Sequence, residues 1–288
     1  MELKKAEKYF ATARERYWIN YRREIGWPRE HWTQDPVYKE WRFCNVHREH
    51  DKTTRWFAEN VRKRLVGYNV VRATLIFRWF NRIETGEKLL PWLLWKPWDE
   101  SAVREALKDH KPLVTGAFMI KTVNGMNKLD GMMYAIQQAL KMLPDIVSDW
   151  DSQPIDTLEY ATKSLTQIPH IGRFMAYEIV SDLRWTEVLQ SAQDIMTWAN
   201  AGPGCAHGLG RVLGEGLVPE RHFDRNSKDD QATMCLVMQE LLELSKSEEF
   251  WPQGWVPWEM REAEHWACEF DKYERAEQGD KMKRRFKE

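Results

Sequence analysis

Apolar residues recur along most of the chain at three- and four-residue spacing, which lays a stripe on a helix, and no stretch alternates long enough to require a sheet. The chain is therefore expected to be all-α. Residues 1–25 read as a basic amphipathic helix ended by Gly26-Trp27-Pro28. A long helix is expected near Val37 to Leu65, and others over about Val70 to Glu84, Glu100 to Lys108 and Lys128 to Leu143, where Pro144 should stop the last. Residues 144–154 are expected to form an acidic loop. From Ile155 the helices shorten and alternate with Gly/Pro turns, through Gly202-Pro203-Gly204 to a helix that runs through Arg211. A polar loop at Arg221 to Asp230 should precede an apolar helix at Ala232 to Ser245. A Trp-Pro connector at Phe250 to Pro257 then leads to a final amphipathic helix at Trp258 to Glu277.

Within that pattern, Leu165 to Asp194 reads as two helices around the turn Ile168-Pro169-His170-Ile171-Gly172. Pro169 fixes φ, and Gly172 would permit a close or left-handed backbone before a helix from Arg173 to Leu183. A turn that opens a helix offers backbone N–H groups to a phosphate, so a helix-hairpin-helix that grips DNA is expected, with His170, Ile171, Gly172 and Arg173 in contact. An ordinary αα-hairpin is the competing reading.

Length changes the picture little: 288 residues suffice for one large domain or two lobes. The longest apolar run, Leu89 to Trp95, is short and contains Pro91, and no signal-like segment is evident, so a cytoplasmic protein without membrane partners is expected. Cys44, Cys205, Cys235 and Cys268 form no C-x-x-C pair, which excludes a zinc ribbon or a four-cysteine cluster. The formal charge of −1 conceals an asymmetry: residues 1–82 hold 19 Lys and Arg against 10 Asp and Glu, whereas residues 229–280 hold 4 against 14. Either the N-terminal part faces DNA, or the acidic tail folds back and neutralises it. Most of the 16 tryptophans should pack the core, with one or two able to stack on an extruded base.

Arg42, Asn45, Arg48 and Asp51 recur every third residue and would form a polar stripe on the expected long helix, suited to a pyrophosphate or a base edge. From the residues alone, a solvated face with an Asp51–Arg55 pair is the favoured reading. Arg78, Asn81 and Arg82 repeat the motif weakly. His265, Cys268 and Glu269 share a helical face but are too few to bind a metal, so none is expected.

These segments carry a resemblance. Arg42 to Asp51, Phe77 to Arg82, Gly116 to Ile120, Gly202 to Gly208 and Glu264 to Tyr273 resemble the helical domain of phage thymidine-hypermodification systems. That family comprises α-glutamyl/putrescinyl thymine pyrophosphorylases and the helical domain of 5-hydroxymethyluracil DNA kinases, and it is similar to helix-hairpin-helix DNA glycosylases. The resemblance implies one helical domain over 1–288, with a cleft between approximate lobes 30–145 plus 215–280 and 150–214. It implies phage origin, hence host cytoplasm, and double-stranded DNA with a modified thymine as partner.

By the same resemblance the chain would displace the pyrophosphate of 5-pyrophosphorylmethyl-deoxyuridine with an amine or amino acid, after a separate 5-hydroxymethyluracil DNA kinase has acted. The absence of a G-x-x-x-x-G-K-[ST] loop means this sequence is not itself a P-loop kinase. Arg42, Asn45, Arg48, Arg78, Asn81 and Arg82 are the candidates for pyrophosphate or base, with Gly202 and Gly204 adding backbone donors. Asp51, Asp194, His207 and Glu269 are the candidates to accept the amine's proton. No cofactor is expected, Mg²⁺ being the one ion left open. Two alternatives stand beside this: a glycosylase that uses Asp194, which an N-cap role would also explain, and a non-catalytic DNA-binding partner of the kinase. A lyase is disfavoured because His170 and Arg173 stand where the related glycosylases carry lysine.

Overall fold

The computed structural model describes residues 2–115, 123, 125–152, 156–214, 216 and 218–280, so the Gly116 to Ile120 motif lies outside the described residues. It is all-helical: α1 (Ala6–Glu24), α2 (Pro36–Glu40), α3 (Lys52–Asn60), α4 (Gly67–Phe80), α5 (Ile83–Leu94) and α6 (Glu100–Leu107) are followed by α7 (Lys128–Ser152), α8 (Leu158–Leu165), α9 (Arg173–Leu183), α10 (Pro203–Val212), α11 (Lys228–Leu244) and α12 (Met260–Glu277). Among the described residues no β-strand forms, and no helix is long and apolar enough to cross a membrane. The chain divides into two compact units, Met1–Asp51 with Ile195–Glu288, and Lys52–Asp194. These boundaries differ from the lobes expected at 30–145 plus 215–280 and 150–214.

In the first unit α12 is the central element, packed by α10, α11, α1 and α2. Its apolar side, Met260, Ala263, Trp266, Ala267 and Phe270, is fully buried. α1 locks onto it through reciprocal bonds: the Tyr9 hydroxyl donates to the Ala263 carbonyl at 3.0 Å, and the Trp266 indole donates to the Tyr9 carbonyl at 3.0 Å. Gly208 lets α10 approach backbone to backbone, since a Cβ there would sit 1.8 Å from the Ala267 carbonyl oxygen. The acidic side of α12 takes up basic residues of the same unit. Lys5 and Lys8 pair with Glu274, Lys8 also with Glu277, and Arg211 with Asp271. Of the two readings of the charge asymmetry, internal neutralisation therefore holds for Lys5 and Lys8.

The expected long helix from Val37 to Leu65 does not form. α2 starts at Asp35, whose carboxylate accepts from Val37 N at 2.7 Å and Tyr38 N at 3.2 Å, with Pro36 at the first helical position. It ends at once, because Trp41 turns extended (φ −113°, ψ 149°). From Trp41 to Asp51 polar side chains bind the backbone in place of a helical ladder: Asn45 Nδ2 donates to the His50 carbonyl at 2.7 Å, and Asp51 Oδ1 accepts from Asn45 N at 3.0 Å.

The second unit packs α4 against α9, α5 and α7, and α8 against α9. α4 stops at Phe80, short of the expected Glu84, because Asn81 adopts the left-handed conformation (φ 45°, ψ 42°). Prolines do not end helices here as expected. α7 runs through Pro144 to Ser152, so residues 144–152 are helix rather than loop. Leu143, Ile146, Val147 and Trp150 continue its buried stripe. A proline inside a helix costs about 3 kcal/mol, which burial of two or three such side chains at about 1.5–3 kcal/mol each offsets. α5 likewise runs through Pro91, and Arg72 donates to the Trp92 and Leu93 carbonyls at its end, at 2.9 and 3.1 Å.

Candidate functional site

Within the first unit the segment Arg42 to Asp51 lies along α12, joining the two stretches of most distinctive sequence from opposite ends of the chain. Cys44 N–H donates to Glu269 Oε2 at 2.9 Å, His265 Nε2 donates to the Asn45 carbonyl at 3.1 Å, and Lys272 donates to the Arg42 carbonyl. His47 Nδ1 stands 3.6 Å from Glu262 Oε1. Asn45 is the hub of this segment. Its side chain, almost fully buried, accepts from Arg16 at 2.5 Å while donating to the His50 carbonyl, and its N–H holds Asp51. It has therefore no edge to offer a base, contrary to the expected role.

The electrostatics of this cluster are set by burial. Burial favours the neutral acid at Glu269, yet Lys272, His265 and the Cys44 N–H outweigh it and hold the carboxyl below its ordinary range. Burial pushes the imidazole of His265 down, partly opposed by Asp51 and Glu269, so the ring is neutral at neutral pH. Burial raises the Cys44 thiol well above its ordinary value, with Glu269 and Asp51 adding to the shift. Arg42 is exposed, Arg48 half-buried, and Arg48 is close enough to act on Cys44, His265 and Glu264.

The other expected site residues separate from this cluster. Gly204 is the second residue of α10, where a Cβ would lie 2.3 Å from Cys268 Sγ, so the glycine allows α10 to pack closely on α12. Gly202 caps α10, with its N–H donating to Glu264, and His207 is exposed on α10.

In the second unit Arg78 is wholly buried. Its Nε donates to Asp182 Oδ2 at 2.6 Å, Nη2 to Asp182 Oδ1 at 2.5 Å and Nη1 to Asn81 Oδ1 at 2.8 Å. A guanidinium with its fork filled by a carboxylate and no exposed surface cannot receive a pyrophosphate. Asn81, expected to read a base edge, is instead the left-handed stop of α4. Arg82 precedes α5 and pairs with Glu84 at 3.0 Å.

Asp194 caps a helix, as the competing reading held, but one remote in sequence. Its two oxygens accept from Leu158 N at 2.6 Å and Glu159 N at 2.9 Å, while the Thr157 hydroxyl takes Tyr160 N at 3.2 Å. The first three N–H groups of α8 are thus satisfied.

The turn between α8 and α9 bends at His170 (φ 70°), not at Gly172 (φ −85°), around which a Cβ would meet nothing. Ile171 is buried and anchors the turn, whereas His170, Gly172, Arg173 and Phe174 are exposed, and the His170 ring lies against Tyr134 with centroids 5.6 Å apart.

Residues 4–283 match the model of the 5-hmdU DNA kinase helical domain. The chain belongs to that family. The 5-hmdU DNA kinase of Bacillus phage SP10 is 28% identical over 290 residues, which cover 93% of this chain and 44% of the phage protein. This helical-domain protein thus spans less than half the length of that relative, and no solved structure matches it. The resemblance carried by Arg42 to Asp51 and Glu264 to Tyr273 is therefore sound at the level of family. What sequence reasoning missed in this helical domain is the pairing of those two segments. Cys44, Asp51 and His265 each offer a ligand-type atom, all within 4.8 Å of one another. Asp51 and His265 belong to separate motifs, and no spacing rule joins residues more than two hundred positions apart.

Proposed function

We propose that this chain is a transferase acting on a 5-hydroxymethyluracil-derived base in DNA, replacing the pyrophosphate of 5-pyrophosphorylmethyl-deoxyuridine with an amine or amino acid. The observation that most supports this is the joining of Arg42 to Asp51 with α12, which gathers Asp51, His265 and Glu269 beside Arg48. In the reaction the amine lone pair forms a C–N bond at the 5-methylene carbon, and the C–O bond breaks with its electrons leaving on pyrophosphate. Arg42 and Arg48 meet the departing charge. The proton lost by the amine passes to a carboxylate, for which Glu269, held ionised, and Asp51 are the candidates in this cluster. The target base leaves the stack first, at a cost of a few kcal/mol. The exposed turn His170 to Phe174, at the start of α9, is the DNA contact of this reading, and Mg²⁺ is the ion that would accompany pyrophosphate.

The test is incubation of the chain with duplex DNA that carries the pyrophosphorylated base and a panel of amines, with nucleosides resolved by mass. A new nucleoside with equimolar pyrophosphate is expected; its absence across the panel removes the reading. One observation favours a second role. The named relative is a DNA kinase of which this chain matches less than half, so a helical module that holds DNA for a kinase is the alternative. Salt-dependent DNA binding without turnover, together with stimulation of a 5-hmdU DNA kinase in trans, would establish it.

A further inference from the structure

We propose that Cys44, Asp51 and His265 form a three-ligand site for a divalent transition-metal ion, with Zn²⁺ the best match to the donor set. One thiol sulfur, one carboxylate oxygen and one imidazole nitrogen lie within 4.8 Å of one another. Around a tetrahedral Zn²⁺, with bonds of about 2.0–2.3 Å, such atoms stand roughly 3.3–3.8 Å apart, so closure needs only side-chain rotation on the order of 1 Å. The charges match as well: a thiolate and a carboxylate neutralise the ion, and a neutral imidazole completes the set.

The surrounding bonds are those that orient metal ligands. A single peptide segment holds two of the three: Asn45 N–H fixes Asp51 Oδ1 at 3.0 Å, and the Asn45 carbonyl accepts from His265 Nε2 at 3.1 Å. Because a carbonyl can only accept, the proton of the neutral ring sits on Nε2, and Nδ1 keeps the lone pair a metal requires. The third ligand is anchored one residue earlier, through Cys44 N–H to Glu269 Oε2 at 2.9 Å. Asn45 in turn is braced by Arg16 and by the His50 carbonyl. Side-chain hydrogen bonds thus preset the backbone that carries two ligands against the helix that carries the third. Three protein ligands leave a fourth position for water or substrate, the arrangement of catalytic rather than purely structural zinc. The thiolate and imidazole exclude Mg²⁺ and Ca²⁺ as the resident ion, since both prefer oxygen donors alone.

Metal binding is read optically and needs no transfer activity; with Asp51 bound to the ion, Glu269 is the carboxylate left to take the amine's proton. The full chain is stripped with a chelator and titrated with Co²⁺ alone. Saturation at one equivalent is expected, with a thiolate-to-cobalt charge-transfer band and visible bands of tetrahedral intensity that stoichiometric Zn²⁺ abolishes. Cys44→Ser should remove the charge-transfer band, and His265→Ala and Asp51→Asn should each weaken binding at least tenfold, while Cys268→Ser leaves the spectrum unchanged. Circular dichroism of each variant reports folding. If His265→Ala misfolds, the Cys44→Ser and Cys268→Ser pair still decides the matter through the band's origin. No band in the unaltered chain, or a band that survives Cys44→Ser, overturns the site. A chain that binds Co²⁺ as described but transfers no amine keeps the metal site and loses the proposed reaction.

Discussion

Arg78 and Asp182 show how a side chain suited to a ligand becomes part of the core. The pair is fully buried, hydrogen-bonded through both arms, and extended by Asn81, Glu178 and Arg62. Removing one partner of such a pair strands a charge without water and typically costs about 3–5 kcal/mol. Asp182→Ala is expected to lose that much in urea unfolding, whereas Arg42→Ala, at an exposed position, should change stability by less than about 0.5 kcal/mol. Equal losses for both would refute the assignment of Arg78 to the core. Asp194 gives a second case. As a cap its loss in Asp194→Ala should cost about 1–2 kcal/mol, and Asp194→Asn, which keeps one acceptor oxygen, should fall between the two. Burial raises the Asp194 carboxyl above its ordinary 3.8, the donors from Leu158 and Glu159 pulling it back only in part. A raised acid binds its proton more tightly folded than unfolded, so its contribution to stability declines as pH rises from 3.8 through the folded value. A carboxyl titration by NMR that placed Asp194 below 3.8 would contradict this.

At the scale of elements, the packing of α10 on α12 is set by glycine. Gly208→Ala would drive a methyl into the Ala267 carbonyl, 1.8 Å away, and backbone cannot yield as a side chain can. A loss of about 1–3 kcal/mol or more is expected by thermal unfolding, against little change for Gly202→Ala, whose Cβ meets nothing and whose φ of −83° any residue adopts. The two expected turn glycines therefore divide: Gly202 caps, while Gly204, like Gly208 within the helix, spaces α10 from α12. The periodic pattern was legible in α1, α6, α11 and α12, and the last three start at side-chain caps, Asp99, Ser227 and Glu259. It misled where side chains compete with the helix, from Trp41 to Asp51, because Asn and Asp bonds to nearby backbone leave no trace in hydrophobic spacing. It misled again at Pro144, where local propensity argued for an end that burial of Ile146, Val147 and Trp150 overrode. Of the site, the motif residues could be found but not their partners. That Asn45 serves Arg16, or Asp194 serves α8, depends on contacts between segments far apart in sequence.

For the whole molecule, the division of the chain has a consequence for folding and for DNA binding. The unit Lys52–Asp194 is one continuous segment, whereas the other is assembled from both ends of the chain. The continuous unit carries its own core, in which Leu75, Ile76, Phe77, Leu89, Ile136 and Ile179 are fully buried, and its own ionic brace of Arg78 and Asp182. It also contains both ends of the α8 cap, since Asp194 is its last residue. Residues 52–194 alone should therefore unfold cooperatively on heating, as a segment with an intact core does. Ending the segment at residue 190 should lower its melting temperature, because the α8 donors would lose Asp194. The turn His170 to Phe174 lies in this unit, whereas Lys5 and Lys8, neutralised by Glu274 and Glu277, lie in the other. If the turn is the DNA contact, Arg173→Glu should weaken duplex binding and flatten its salt dependence, and Lys5→Gln with Lys8→Gln should do neither. Fluorescence anisotropy across a salt series measures both. Binding lost with the lysines and kept with Arg173→Glu would move the interface away from the turn and to the basic N-terminal helix.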